Sequence, residues 1–334
     1  MIILKRRTVL AALGLGLAIG HTIPAVAQQK ITLRLGHDQV TGHTYHSTAQ
    51  HFAKRLSEES GGEITVRIFP GAQLGTETSM LDGLKSGNID MSVSTTANAS
   101  SFVKKYGILS VSYLFADENH FQRALNDPEF LKLFDAMTDE IKPGFRRVGL
   151  ITPGARHYYS NKGPVASIAD LQQIKMRVMA SPVESKVWGA LGTSPLAIPF
   201  GDLYTGMQTG LIQSAENSPG SYGLNKHYEV AQYFSLTGHQ WPISGIFMSD
   251  ITWNKLSDKH KAAVMKVAGE ISTFAVKDAV ESDAKVLKDM QEKNGVKVNK
   301  VDTAPFVEKL SVLQDEVAKE LGTTDMLARV RALK

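Results

Sequence analysis

One pattern constrains this chain more than any other: stretches with period-two spacing and stretches with helical spacing take turns, and they do so twice. Ile31-Thr32-Leu33-Arg34-Leu35 alternates with period two. Thr44 to Ser60 carries Ala49, Phe52, Ala53 and Leu56 at helical spacing and stops at Gly61-Gly62. Ile64 to Phe69 alternates again before Pro70-Gly71, Thr76 to Lys85 reads as a second helix closed by Gly87, and Ile89 to Ser94 as a third strand. The order β-α-β-α-β predicts an α/β sheet with helical crossovers. It resumes downstream, with strands at Lys175 to Met179, Ser194 to Ile198 and Ile212 to Ala215, and helices at Pro182 to Leu191 and Leu203 to Leu211.

The two units are expected to be joined near Thr152-Pro153-Gly154 and again near Thr237 to Pro242. Two crossings make a double-stranded hinge rather than a loose linker. Lys259 to Met290 has apolar residues at 3-4-3-4 spacing and no Pro. A helix of that length spans about 45 Å at 1.5 Å per residue, enough to brace both units. A break near Gly269 into two shorter helices is the alternative. The expected architecture is a two-lobed α/β fold with hinge strands and a long bracing helix. Lobe I takes residues 28–153 plus 240–282, and lobe II takes 154–239 plus 283–334.

Residues 1–27 read as an export signal. Lys5, Arg6 and Arg7 precede an apolar run, Val9 to Ile19, of 11 residues, and Ala25-Val26-Ala27 offers a cleavage site before Gln28. The run is too short for a membrane helix, which needs about 20 apolar residues. Arg6-Arg7 leaves both the general and the twin-arginine export routes open. The signal also explains the charge. The whole chain carries 37 basic and 33 acidic residues, but three of those bases and none of the acids lie in the signal. A nearly neutral mature chain, with its basic residues scattered, gives no footprint for nucleic acid. The chain has no cysteine, which excludes disulfides, thiolate metal sites and cysteine nucleophiles.

No nucleophile elbow, phosphate-binding loop or paired-histidine zinc motif is present. No cofactor is expected. His37, His43 and His46, with Asp38 beside them, form the one metal-like cluster. They fall where the first strand meets the first helix, the place where open α/β sheets bind ligands, and hydrogen bonding to a ligand is the preferred reading over metal coordination. Arg156 and Arg177 stand in strand-like surroundings at the start of the second unit. A guanidinium can hold a carboxylate by two parallel charge-assisted hydrogen bonds. Periodicity alone does not raise either above Arg67, Arg146 or Arg147, for which a surface position or an ion pair is the ordinary role.

Several short segments, in order, resemble the DctP-like solute-binding proteins of TRAP (tripartite ATP-independent periplasmic) transporters. They include Arg34-Leu35-Gly36-His37, Phe69 to Gly75, Leu84 to Met91, Asp170-Leu171 with Lys175-Met176-Arg177-Val178, Met207 to Gly210, Ala215-Glu216-Asn217, His227 to Ala231, and His239. The resemblance runs from about Ile31 to Leu321. One departure is visible: the family usually has Gly two residues before Lys175, and Gln173 stands here. The resemblance implies a periplasmic protein, expected as a monomer, that captures an organic acid and delivers it to membrane permease subunits. It implies that Arg177 pairs with the ligand carboxylate, with Arg156 and Asn217 assisting, and that Glu77, Asp38, His37 and His43 line the remainder of the cleft. Carboxylates at that far end suit a hydroxyl-rich sugar acid, a hexuronate or an aldonate. A C4-dicarboxylate or keto-acid binder, an enzyme using Glu77 and Asp38 as an acid/base pair, a ligand sensor and a metal-binding protein are the alternatives.

Overall fold

The computed structural model describes residues 30–334, so the expected signal lies outside the described residues. The first unit opens with β1 (Ile31–Gly36), α1 (Thr44–Glu59), β2 (Ile64–Phe69), α2 (Glu77–Ser86), β3 (Met91–Thr95) and the single turn α3 (Thr96–Ala99). The elements expected there are all found, within two residues at each end. α2 shows why. The Thr76 hydroxyl caps it by accepting from the Ser79 amide, and Gly87 ends it in a left-handed conformation at φ 75°. The unit continues through α4 (Glu118–Leu125) and α5 (Pro128–Ile141) to β4 (Phe145–Ile151).

The chain then crosses at Thr152-Pro153-Gly154 into a second sheet. That unit holds β5 (Arg156–Ser160), β6 (Lys175–Val178), α6 (Pro182–Ala190), β7 (Ser194–Ala197), α7 (Leu203–Gln208), β8 (Ser214–Asn217), α8 (Pro219–Leu224) and β9 (Tyr233–Gln240). After Trp241-Pro242-Ile243 the chain returns to the first sheet as β10 (Ser244–Ser249), followed by α9 (Asp250–Lys255) and α10 (Asp258–Lys293). β11 (Lys297–Lys300), α11 (Ala304–Leu321) and α12 (Thr324–Ala332) complete it. The first sheet has the order β2-β1-β3-β10-β4 and the second β11-β9-β5-β8-β6-β7. In the first, β1, β2 and β3 are parallel and β10 runs antiparallel between β3 and β4.

Three local differences from the sequence reading have clear causes. Leu203 to Leu211 was expected as one helix, but Gly210 turns left-handed at φ 76° and α7 ends at Gln208. The Ile212 amide then bonds back to the Gly206 carbonyl, so Ile212 closes the turn and the strand starts at Ser214. Gln173, where the resembled family has Gly, sits at φ 59° with its amide bonded to the Gly192 carbonyl. The backbone keeps the glycine geometry without the glycine. The C-terminal segment departs from the expected grouping with the second lobe. β11 joins the second sheet, but α12 packs on α5 of the first unit, and α11 touches both α6 and the tight turn at Lys104–Ser110.

α10 is one unbroken helix of 36 residues, about 54 Å long. Its Val264, Val267 and Ile271 pack with Phe52, Val93 and Ile246 under the first sheet. Met290, near its other end, joins Tyr159, Tyr222 and Phe234 on the second. About two-thirds of the way along, Asp283 meets the hinge. Its Oδ1 accepts from the Gly220 amide at 2.7 Å, and its Oδ2 occupies the space that a Cβ on Gly154 would fill. Gly154, at φ 104°, is needed there on both counts. A larger apolar core runs from Phe145 and Phe247 through Tyr158 and Trp188 to Phe306 and Leu327. The two units are thus welded on one side and face each other across a cleft on the other.

Candidate functional site

The cleft lies at the strand ends, where β1 and β3 of one sheet face β6 and β8 of the other. Asp38, Gln39, Tyr45, Glu77, Thr95, Asn98, Arg156, Arg177, Asn217 and Ser221 are among the residues around about 300 Å³ of space. Of the seven residues expected at the site, Arg177, Arg156, Asn217, Glu77 and Asp38 line this space.

The two arginines are not equivalent. Arg156, at the start of β5, is fully committed to protein. Its guanidinium makes a two-pronged ion pair with Glu216, donates from Nη2 to the Glu216 carbonyl (2.8 Å) and from Nη1 to Asn217 Oδ1 (2.9 Å). Burial works against the charges, but Arg156 and the His239 ring, 3.3 Å from Glu216, hold the Glu216 carboxyl down at about 2. Arg177, on β6, is equally buried at 2% exposure. Only its Nε is engaged among the described residues, donating to the Ile198 carbonyl at 2.9 Å. Burial pulls its pKa below the usual arginine range, opposed by the neighbouring Glu216 and assisted by Arg156. A guanidinium stays protonated under any physiological condition. Arg177 is therefore a desolvated cation that has no direct carboxylate partner, while Arg156 already has one.

Asn217 is oriented by what it accepts. Its Oδ1 takes hydrogen bonds from Arg156 Nη1 and from the Ser218 amide (3.1 Å), which leaves its Nδ2 free to donate into the cleft. The opposite wall is acidic. Glu77, at the first position of α2, is only 5% exposed. Its Oε2 accepts from the Thr95 amide (2.9 Å), the Thr95 hydroxyl (2.7 Å) and Asn98 Nδ2 (2.6 Å), and Oε1 is left over. Asp38 Oδ1 accepts from Gln39 Nε2 at 3.0 Å. Burial and the Glu77 charge push the Asp38 carboxyl up to about 8, against the pull of Gln39 and Arg177. One wall thus presents a lone cation and an amide donor, the other carboxyl oxygens.

His37 and His43 do not line the cleft, contrary to expectation. His37 Nε2 bonds to His46 Nδ1 at 3.1 Å, and the ring is fully buried. His43 uses both ring nitrogens, Nδ1 accepting from the Tyr45 amide to cap α1 and Nε2 bonding to Ser221 Oγ. His43 has no ring nitrogen to spare for a ligand, while His37 Nδ1 is buried with no hydrogen-bond partner among the described residues. Among the described residues, no group of three or more His, Asp or Glu is placed to hold a metal ion. The sequence reading missed Gln39, Tyr45, Thr95, Asn98 and Ser221. Gln39 lies just beyond β1, Thr95 is the last residue of β3, Tyr45 stands in the first turn of α1, and Asn98 and Ser221 lie in the short α3 and α8, and their residue types alone do not mark them as ligand contacts. It also missed Glu184, whose Oε1 accepts from Gln240 Nε2 and whose carboxyl burial and Glu216 push up to about 7. The bland reading of the other arginines holds: Arg147 pairs with Asp135 and Arg146 with Asp250.

The arrangement has relatives. The model of bacterial extracellular solute-binding protein family 7 matches residues 35–321. A 2,3-diketo-L-gulonate-binding periplasmic protein of Escherichia coli, YiaO, is 27% identical over 309 residues, which is 92% of this chain and 92% of the relative. A protein of Sinorhizobium fredii is 30% identical over 310 residues, covering 91% of this chain and 56% of that longer relative. The structure of a TRAP periplasmic solute-binding protein from Roseobacter denitrificans with bound β-D-glucuronate superposes with a TM-score of 0.84 at 26% identity, over 91% of this chain and 100% of that one.

Proposed function

The chain belongs to family 7 of the bacterial extracellular solute-binding proteins, and we propose that it captures a sugar acid, a hexuronate or an aldonate, and hands it to the permease of a TRAP transporter. The observation that carries this reading is Arg177. A buried cation lacking a direct counter-ion is costly unless a ligand anion completes it, and a carboxylate matches the guanidinium with two parallel bonds. The free Asn217 amide would donate to the same carboxylate.

The other wall selects the rest of the ligand. Glu77 Oε1 and Asp38 suit hydroxyl donors. A second ligand carboxylate would meet like charge there, which disfavours a simple diacid. The names of two relatives support the class: YiaO binds 2,3-diketo-L-gulonate and the Roseobacter denitrificans protein holds β-D-glucuronate. Export to the periplasm, with cleavage after Ala27, accords with the extracellular family. Among the described residues no helix is long and apolar enough to cross a membrane. Ligand would bridge the two walls and favour the closed arrangement by its contacts to both.

A thermal-shift screen over uronates, aldonates, keto acids and C4-dicarboxylates tests this. A sugar acid at 100 times its Kd adds about 2.7 kcal/mol of stability. Stabilisation by succinate-type diacids alone, or chemical turnover of a bound sugar acid, refutes the reading.

A further inference from the structure

We propose that His43 is a closure latch: it takes no part in touching the ligand, and its hydrogen bond to Ser221 ties the two lobes across the mouth of the site and holds the Asn217 turn in its ligand-binding position. This inference rests on the solute-binding reading and extends it to a residue outside the ligand's reach.

The geometry is specific. His43 follows β1 and caps α1, both in the first unit, while Ser221 sits in α8, directly after β8 of the second. The bond between them, His43 Nε2 to Ser221 Oγ at 2.9 Å, joins residues 178 positions apart, and both are 1% exposed. The tautomer follows from the neighbours. Nδ1 accepts from the Tyr45 amide at 3.1 Å, so the ring proton is on Nε2, which donates to Ser221. Burial, aided by the nearby His37, pulls the ring's pKa down to about 3, so it stays neutral and keeps this one donor.

Ser221 passes the contact on. Its Oγ lies 3.3 Å from Ser218 Oγ, and the Ser218 amide donates to Asn217 Oδ1. Together with the bond from Arg156 Nη1, it turns the Asn217 amide donor toward the cleft. Gln39 and Asn225 make a second bridge along the same edge, at 3.3 Å. From behind, Asp283 of α10 holds the Gly220 amide, so α8 is gripped from the bracing helix and from the first lobe together. On the far edge the lobes meet through Asn98 Oδ1, which accepts from the Ala180 amide at 2.9 Å, and through Ser101 Oγ, which donates to the Ala180 carbonyl at 3.0 Å. Of these bridges, His43 to Ser221 is made between two nearly inaccessible side chains, so it breaks only when the lobes part.

The test is a double-mutant cycle of His43→Asn and Ser221→Ala. Asparagine keeps an acceptor for the Tyr45 amide but is too short to reach Ser221. The absence of native cysteine allows clean labelling at Lys54→Cys on α1 and Thr205→Cys on α7, both exposed, to read the distance between lobes. Wild type is first checked for stabilisation by D-glucuronate, which tests the function alone. The lobe distance is then measured without ligand and with D-glucuronate. Expected are a larger open fraction in each single variant, about tenfold faster D-glucuronate release, a double variant no worse than the singles, and an unchanged preference of His43→Asn between D-glucuronate and D-galacturonate. Coincident distance distributions for wild type and His43→Asn overturn the latch, as does additivity in the double variant or a changed preference. If wild type does not bind D-glucuronate, the ligand-free distances still decide the latch.

Discussion

At the scale of single residues, the site turns on which charges are already matched. Arg156 and Arg177 look alike in sequence, but Arg156 is paired with Glu216 and Arg177 has no such partner among the described residues. On the proposed reading, removing Arg177 removes the ligand's counter-ion. Arg177→Ala is expected to weaken binding of the preferred sugar acid by about 4 kcal/mol, close to a thousandfold by calorimetry. Arg177→Lys should also bind poorly, because a point charge cannot reproduce the two-pronged contact. Near-native affinity in either variant would move the carboxylate elsewhere. Asp38 carries the second residue-scale prediction. In the folded protein its carboxyl holds a proton up to about pH 8, whereas an ordinary aspartate releases it near 3.8. Between those values the folded state binds more protons than the unfolded one, so this group's contribution to stability falls as pH rises. The buried rings of His37 and His43, depressed to about 4 and 3, act in the opposite sense below pH 6.5. Comparing wild type with Asp38→Asn isolates the aspartate. From pH 5 to 9 the unliganded wild type should lose thermal stability relative to the variant, and parallel curves would contradict the assignment.

At the scale of elements, legibility followed exposure. Strands with one face on the core and helices with a single apolar stripe announce themselves by period, as β1, β2, α1 and α10 do. β10 does not: all six of its residues are buried, with β3 on one side and β4 on the other, so its sequence Ser-Gly-Ile-Phe-Met-Ser shows no alternation. The shift of β8 by two residues came from a turn, since Gly210 and the Ile212–Gly206 hydrogen bond consume residues that look like strand. Gln173 offers a direct test of turn chemistry. It holds a left-handed conformation that costs a non-glycine residue about 1 kcal/mol or more. Gln173→Gly is expected to raise stability by up to about 1 kcal/mol in urea unfolding, with ligand affinity unchanged. A loss of stability would mean that the side chain contributes more than the backbone strain costs.

At the scale of the whole molecule, two sheets share one bracing helix and two short crossings, and the cleft faces away from their common core. That design predicts closure as a rigid-body event. Small-angle scattering should show a smaller radius of gyration on adding a binding sugar acid to wild type, and no change with Arg177→Ala. Compaction of the variant by the same acid would break the link between the arginine and closure. The sequence by itself determined the alternating strands and helices of β1 to β3 and β6 to β8, the long α10 and the two crossings, because local periodicity and turn residues act over a few positions. It also marked Arg177, Asn217 and Glu77 through short segments shared with a family. Only the tertiary structure decided which arginine stays unmatched, that His43 faces Ser221 rather than the cleft, and that α12 binds back to the first unit. Those outcomes depend on burial and on partners 60 to 210 positions away, such as Glu216 for Arg156 and the Val330 carbonyl for His120. Desolvation and pairing are properties of the assembled space, and no local pattern in the chain encodes them.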